Sequence, residues 1–155
     1  MKLEECLLRH APLRDLEKED FRALLGAIEE KTFQDGFAFI RQGDHADHVY
    51  FLLDGKVEVT VKPPEGADFS AHHVMEPGEI LGLVALVDGG PRSATCTAKG
   101  DVRVGVLPLD GARLLMESRA PISCAFQVAL ARQLVRDARA LNQALVNTLR
   151  EKLCS

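Results

Sequence analysis

Alternation of valine with polar residues is the feature that most constrains how this chain of 155 residues can fold. Between about residues 32 and 108 apolar and polar side chains alternate with a period of two, most clearly in 57–61, 94–98 and 102–106. This period places successive side chains on opposite faces of a half-buried strand. Several short runs of this kind predict a β sandwich, a jelly roll or a barrel.

Turn residues separate these runs and indicate where the strands end. Asp54-Gly55, between the apolar run 49–53 and the alternating run 56–61, predicts a tight hairpin, because such turns need a positive φ. The other punctuation is Gln34-Asp35-Gly36, Gln42-Gly43-Asp44, 63–66 and Lys99-Gly100-Asp101.

A helical period flanks the alternating region on both sides. Residues 15–30 repeat apolar side chains at i, i+3, i+4 and i+7, which predicts a helix. After Pro108 we expect a short helix over 109–117 and one or two longer helices over 121–153. Their apolar stripe either docks on the strands or pairs with a second copy of the chain, and the spacing leaves both open. It consists of Leu134, Ala138, Leu141, Leu145 and Leu149.

Composition excludes several classes of protein. The formal charge of −4 argues against nucleic acid as the main partner, since phosphate recognition needs clustered Lys and Arg. We find no apolar run long enough to cross a bilayer and no signal-peptide pattern, so we expect a cytoplasmic protein with reduced thiols. Among these thiols, we expect Cys96 and Cys124 to be buried and Cys154 to be exposed.

Residues 76–98 interrupt the strand pattern and carry the chemistry. The short apolar run 83–87 predicts one or two helical turns, and Arg92 follows the loop that ends them. Gly82 allows the backbone to approach a ligand closely, and free N–H groups at a helix start attract anions. Arg92 offers a planar fork of donors suited to phosphate. The pattern favours a small anion site, and the alternative is a surface arginine after an ordinary turn.

Two motifs resemble the cyclic-nucleotide-binding domain family of catabolite-activator-type regulators and protein-kinase regulatory subunits. They are DGFAFIRQGDHADHVYFLLDGKVEV at 35–59, with Gly36, Gly43 and Gly55 at turn positions, and GLVALVDGGPRSAT at 82–95, which resembles the family's phosphate-binding cassette. The resemblance covers nearly all of residues 13–140. It implies a mainly β fold: a jelly-roll barrel over 32–108, N-terminal helices over 1–31 and C-terminal lid helices over 109–155. The whole of 1–155 would then form a single domain.

The resemblance also implies a site. Gly82 would begin the cassette, the backbone N–H groups of Val84 and Ala85 would face the cyclic phosphate, and Arg92 and Ser93 would bind it. Leu83 departs from the family's pattern, because a glutamate that accepts a hydrogen bond from the ribose 2′-hydroxyl usually stands there. Losing such an acceptor costs about 1.5–3 kcal/mol, so either a cyclic nucleotide binds weakly, another anion binds, or the cassette is empty.

The lid positions that align with the family's base-reading residues are Arg136, Asp137 and Ala138. They reproduce no familiar pair, so the sequence does not distinguish cAMP from cGMP. The arginines 132, 136 and 139 fit a solvated helix face.

The sequence also allows two functions other than binding a cyclic nucleotide. His72-His73 with Glu76 and Glu79 could suggest a metal-dependent enzyme of the cupin type, but adjacent residues on a strand point to opposite faces. A ligand-free interaction or dimerisation module is the other alternative.

We expect a non-enzymatic sensor without a cofactor, because no nucleophile–base pair stands out. Its ligand would be cAMP, cGMP or a related anion. Since the chain ends at Ser155 without a helix-turn-helix, it would signal through its C-terminal helices to a partner protein, with a homodimer as a further expectation.

Overall fold

The computed structural model describes residues 1–63, 71–117 and 121–154, and these ranges contain helices on both sides of a strand region. The helices that precede the strands are α1 Leu3–Leu8, α2 Ala11–Arg14 and α3 Lys18–Gly26. The strands are β1 Glu29–Phe33, β2 Ala38–Ile40, β3 His48–Val61, β4 Ala71–Met75, β5 Ile80–Leu81 and β6 Thr95–Pro108. The remaining helices are α4 Leu83–Asp88, between β5 and β6, then α5 Leu109–Glu117 and α6 Pro121–Cys154.

The two longest strands, β3 and β6, form the centre of an antiparallel sheet. Its main path runs β1-β6-β3-β4, while β2 pairs with β6 and β5 pairs with β3. This arrangement confirms the mainly β class with flanking helices and is consistent with a jelly roll. Hydrogen bonding does not close the sheet within the ranges given above.

The hairpin predicted at Asp54-Gly55 is wrong. Strand β3 continues through both residues, and its register against β6 shifts between Leu52 and Asp54 and again between Asp54 and Lys56. Gly55 has φ of 83°, and a Cβ there would lie 2.4 Å from the carbonyl oxygen of Asp101. The glycine therefore serves a bulge that bends a long strand, where the partner backbone comes close.

The second predicted break inside this strand pair also lies within a strand. Residues Lys99-Gly100-Asp101 belong to β6, and Lys99 pairs with Lys56 beside the bulge in β3. The positive φ of Gly100, 74°, thus accompanies a bend and not the end of a strand.

Apolar packing lies both within the sheet and between the sheet and the helices. Cys96 is buried within the sheet, as predicted, and Cys154 is exposed. Cys124 is exposed, so the expectation that it is buried was wrong. It lies on the outer face of α6, whereas Ile122 and Phe126 on the inner face are buried against the core.

Helix α6 is a single helix of 34 residues, about 50 Å long at 1.5 Å per residue. The inner-face side chains of its first half, such as Phe126 and Leu130, pack on the core, and Leu134 is partly buried there. Leu145, Leu149 and Leu153 are exposed further along. The predicted stripe therefore docks on the core at its start, and pairing of its end with a second copy stays a prediction. In the ranges given above, no helix combines the length and apolar character needed to cross a membrane.

His10, between α1 and α2, is a buried histidine with one ring nitrogen that lacks a hydrogen-bond partner. It is 5% exposed, and its Nε2 has no hydrogen-bond partner in the part of the chain that the structure describes. Burial, followed by the charge of Arg136, lowers the pKa of His10 to about 4. Arg9 and Glu79 line the same cleft. The folded state therefore favours the neutral imidazole.

We predict that His10→Leu flattens the pH dependence of stability below pH 6.5. Between pH 6.5 and 4 the unfolded wild-type chain binds the His10 proton and the folded chain does not, so stability should fall as the pH falls. The loss should approach about 3 kcal/mol at pH 4 and be absent above pH 6.5. Denaturant unfolding at several pH values measures it, with exposed His45→Gln as the control. Parallel profiles for wild type and His10→Leu would contradict the prediction.

Candidate ligand-binding site

A cavity of about 360 Å³ lies among the strands, helix α4 and helix α6. Its volume is within the range of about 300–1,000 Å³ that is typical of small-molecule sites. Most of its wall is apolar, and the polar side chains that line it are few. The apolar lining includes Ile40, Val59, Val61, Met75, Ile80, Leu81, Leu83, Val84, Ala85, Ala94 and Leu141, and the polar lining His73, Arg92, Ser93 and Asp137.

Gly82 shapes one wall of this cavity. It is the N-cap of α4 with φ of 83°, a conformation that costs glycine little. A Cβ on Gly82 would lie 2.5 Å from Nη1 of Arg92. Glycine is therefore needed here both for the backbone conformation and for the close approach of the guanidinium.

Arg92 is the buried charge of the site, with a side chain only 4% exposed. Its Nη2 donates to the carbonyl of His48 at 2.7 Å, and its Nη1 donates to the carbonyl of Gly82 at 3.4 Å. The guanidinium carbon lies 5.9 Å from the centre of the Tyr50 ring, in cation–π range. Arg92 is therefore not the surface arginine of the alternative reading.

The countercharge near Arg92 is incomplete. Asp47 Oδ1 lies 3.6 Å from Nη2 of Arg92, but the Asp47 side chain is 67% exposed and is also bound by Nδ1 of His48 at 2.9 Å. Burial alone would raise the pKa of Asp47, yet the hydrogen bond from His48 and the charges of His48 and Arg92 lower it overall. A buried cation with a mostly solvated partner favours a further anion at the cavity.

Burial also determines the protonation state of two groups near Arg92, the thiol of Cys96 and the hydroxyl of Tyr50. It raises the pKa of the Cys96 thiol to about 12, against the opposing charge of Arg92. It raises the pKa of the Tyr50 hydroxyl in the same way. Both groups are therefore neutral near pH 7, which leaves Arg92 as the charge at this end of the cavity.

The structure brings the predicted cassette residues together. Gly82, Leu83, Val84, Ala85, Arg92 and Ser93 all line the cavity. Leu83 is 2% exposed and packs into the core while its edge faces the cavity, so it lines the space without filling it.

Of the three predicted lid residues, Asp137 lines the cavity and Arg136 and Ala138 do not. Asp137 lines the cavity, but Arg136 lies in the cleft beside Arg9 and His10 and donates to Oε1 of Gln133 at 2.7 Å. Arg136 is therefore not placed to contact a ligand in the cavity. The helical turn explains the difference, since consecutive residues on a helix point about 100° apart.

Sequence reasoning overlooked His73 as a cavity residue. His73 lines the cavity, while the adjacent His72 points to the other face of β4 and bonds Glu58 Oε1 through its Nε2 at 2.5 Å. Alternation along a strand places the two histidine rings on opposite faces of β4. The same alternation places His73 on the face of the buried Met75, so it could have predicted that His73 faces the interior.

A buried glutamine joins the lid helix to the strands. Gln133 is fully buried and donates through Nε2 to Asp137 Oδ1 at 2.7 Å and to Glu79 Oε1 at 3.5 Å. Glu79 itself accepts from the backbone N–H of Glu76 at 2.6 Å. Helix α6 is thereby fixed against the turn before β5. Among the residues described, no group of three or more His, Cys, Asp and Glu could hold a metal ion.

Comparison with known proteins gives a family and two kinds of regulatory relative. The family model described as "Cyclic nucleotide-binding domain" matches residues 30–119. A cAMP-dependent protein kinase regulatory subunit of Dictyostelium discoideum is 38% identical over 99 residues, which cover 63% of this chain and 30% of the relative. A CRP-like cAMP-activated global transcriptional regulator of Mycobacterium tuberculosis is 27% identical over 134 residues, 86% of this chain and 59% of the relative. The chain thus spans less than two thirds of the length of each of these relatives.

Solved structures share the fold. The Thermus thermophilus catabolite activator protein matches with a TM-score of 0.67 and 26% identity, covering 88% of this chain and 63% of that one. A cyclic nucleotide-binding domain from Methylobacillus flagellatus matches with a TM-score of 0.78 and 21% identity over 93% of this chain and 83% of that one. The second likeness concerns the fold alone.

Proposed function

Because the chain belongs to the cyclic nucleotide-binding domain family, we propose that it is a regulatory sensor that binds a cyclic nucleotide monophosphate in the cavity. The observation that carries the proposal is the buried guanidinium of Arg92, which lies at an apolar cavity with an incomplete countercharge. A cyclic phosphate supplies that charge, and the apolar wall receives the sugar and base. The role is binding and not catalysis, as in the regulatory relatives.

The cassette residues are positioned to donate hydrogen bonds to a phosphate in the cavity. Val84 and Ala85 lie in the first turn of α4, where a helix supplies no acceptor for backbone N–H groups. Ser93, beside Arg92, adds a hydroxyl at the same cavity. These donors complement the guanidinium, whose two bonds to carbonyls leave part of its five-donor fork for a phosphate oxygen.

Helix α6 supplies the output. Asp137 and Leu141 face the cavity from this helix, so a bound nucleotide contacts the lid directly. A ligand that binds more tightly when α6 is docked shifts the population toward that arrangement. The docked helix would then present its exposed end to a partner protein.

We predict that Arg92→Ala weakens cyclic nucleotide binding by about 10- to 150-fold. This range corresponds to the loss of one charge-assisted contact of about 1.5–3 kcal/mol. Arg92→Lys keeps the charge but loses the planar fork, so it should fall between wild type and Arg92→Ala. Isothermal titration calorimetry with cAMP and with cGMP measures the affinities.

Arg22→Ala, at an exposed position on α3, is the matched control and should bind like wild type. Circular dichroism of each variant establishes that it is folded, because Arg92 also holds two backbone carbonyls. Equal affinities for wild type and folded Arg92→Lys and Arg92→Ala would contradict the assignment. Absence of binding by the wild type would favour a ligand-free interaction module, which the apolar Leu83 permits.

The residue at position 83 determines whether the proposed site can accept a hydrogen bond from the ribose 2′-hydroxyl. It lines the cavity at the position where the family usually has a glutamate, and it offers no acceptor for a 2′-hydroxyl. Glu79, the neighbouring carboxylate in sequence, is held by Glu76 and Gln133 and is not part of the cavity wall. The proposed site therefore does not read the 2′-hydroxyl.

We predict that the affinity for a 2′-deoxy cyclic nucleotide is within about threefold of the affinity for its ribose counterpart, because no carboxylate accepts a hydrogen bond from the 2′-hydroxyl. Leu83→Glu should create a preference of about tenfold or more for the ribose form. Competition titrations measure the ratio of the ribose and 2′-deoxy affinities for wild type, Leu83→Glu and Leu83→Gln. Glutamine has nearly the shape of glutamate but no charge, so Leu83→Gln is the matched control for Leu83→Glu. A wild-type preference for ribose above tenfold would contradict the prediction even if neither variant folds.

A further inference from the structure

A second cleft lies outside the cavity at Arg92, where helix α6 meets the connection between α1 and α2 and the turn before β5. Its volume is about 240 Å³, below the range of about 300–1,000 Å³ that is typical of sites for drug-sized molecules. A ligand of only a few heavy atoms would therefore fit it. The cleft is lined by Arg9, His10, Pro77, Gly78, Glu79 and Arg136, and none of these residues lines the cavity.

Two arginines bring positive charge to this cleft from different elements. Arg9 follows α1, and its Nη1 donates to the carbonyl of Pro77 at 2.9 Å. Arg136 belongs to α6, and its Nη2 donates to Oε1 of Gln133 at 2.7 Å. Within the described ranges, neither guanidinium forms an ion pair with a carboxylate. Since each guanidinium has five N–H donors, both keep donors that a ligand could use.

The turn before β5 fixes the position of Arg9. A Cβ on Gly78 would lie 2.8 Å from Cδ and 2.9 Å from Nη1 of Arg9, so glycine is needed for this close approach. The φ of Gly78, 103°, is also one that glycine adopts at little cost. The side chain of Arg9 therefore lies against the backbone of the turn and adds its charge to the cleft.

The carboxylate of the cleft, Glu79, already has partners. Its Oε2 accepts from the backbone N–H of Glu76 at 2.6 Å, and its Oε1 accepts from Nε2 of Gln133 at 3.5 Å. Two guanidinium charges against one carboxylate leave the cleft with a single positive charge while His10 is neutral. A ligand with one negative charge would balance it.

His10 is the buried and incompletely satisfied side chain of the cleft. It is 5% exposed, and its Nε2 has no hydrogen-bond partner in the part of the chain that the structure describes. Burial and then the charge of Arg136 lower the pKa of His10, whereas a backbone hydrogen bond at Gly78 raises it, as an acceptor for a ring N–H does. That bond uses Nδ1, because Nε2 has no partner. Nε2 of the neutral ring is therefore an unused acceptor.

A carboxylate alone does not suit all three of these side chains. It matches the guanidiniums of Arg9 and Arg136, but a carboxylate oxygen against the unprotonated Nε2 of His10 would bring two acceptors together. A hydroxyl group supplies the donor that Nε2 lacks, and a buried acceptor without a donor is costly. Both arginines are exposed, and exposed side chains change rotamer within nanoseconds, so they can admit a small ligand to the ring.

We propose that this cleft is a second ligand-binding site, which takes the anion of a small 2-hydroxy carboxylic acid. The carboxylate binds Arg9 and Arg136, and the 2-hydroxyl donates to Nε2 of His10. The ligand thereby joins α6 to the connection between α1 and α2. The proposal does not assume that a nucleotide occupies the cavity, so it stands or falls separately from the proposed function.

The test compares lactate, as each enantiomer, with propionate, which has the same carbon skeleton without the hydroxyl. NMR titrations of isotope-labelled protein at constant ionic strength give the affinities and the residues that respond. The better-bound enantiomer of lactate should shift the amide resonances of His10, Gly78 and Arg136. It should bind about fivefold or more tightly than propionate, because its hydroxyl satisfies a buried acceptor. Arg9→Gln and Arg136→Gln should each weaken lactate by about tenfold or more.

His10→Leu should remove the preference for lactate while propionate still binds the two arginines. Arg150→Ala, exposed at the far end of α6, is the control and should bind lactate like wild type. Equal wild-type affinities for lactate and propionate would overturn the proposal, whether or not His10→Leu folds. Amide shifts confined to residues 82–93 would place the acid in the cavity instead and would also overturn it. The same holds if lactate causes no shift beyond that of sodium chloride.

Discussion

The buried guanidinium of Arg92 is the interaction on which the rest of the site depends. It joins the start of β3, through the carbonyl of His48, to the cap of α4, through the carbonyl of Gly82. Burying a cation is costly, and Asp47, largely in solvent, offsets that cost only in part. The fold accepts this cost at the wall of a cavity. A buried charge that fold stability alone would not favour is a common mark of a binding site.

The apolar wall and the lid helix extend this constraint to the whole domain. The cavity lies between the strands and α6, so a ligand of the proposed kind would contact this helix, whose far end is exposed. Gln133 couples the two, since it is bonded both to Asp137 at the cavity and to Glu79 at the turn before β5. In the proposed function, ligand binding and the position of α6 would be linked through this buried glutamine. Leu83 adds to the apolar character of the same wall.

The sequence predicted which residues meet at the cavity because their signals are local. A glycine and a short apolar run predict α4, and the structure places Arg92, a few residues further on, beside Gly82. The predictions that were wrong concern features that depend on contacts between residues far apart in the sequence. A positive φ at Gly55 suits a hairpin or a bulge equally, and only pairing with β6 selects the bulge. Likewise, the faces of α6 that hold Cys124 and Arg136 follow from how the helix docks, which the helical period alone leaves open.

Crystal structures of the chain grown with saturating cAMP and with saturating cGMP would test the central claim most directly. The account predicts nucleotide in the cavity, with a phosphate oxygen within about 3 Å of the Arg92 guanidinium. The bonds from Arg92 to the carbonyls of His48 and Gly82 should persist or be exchanged in part for phosphate. A cavity that stays empty at saturating nucleotide, or a phosphate bound away from Arg92, would contradict the account.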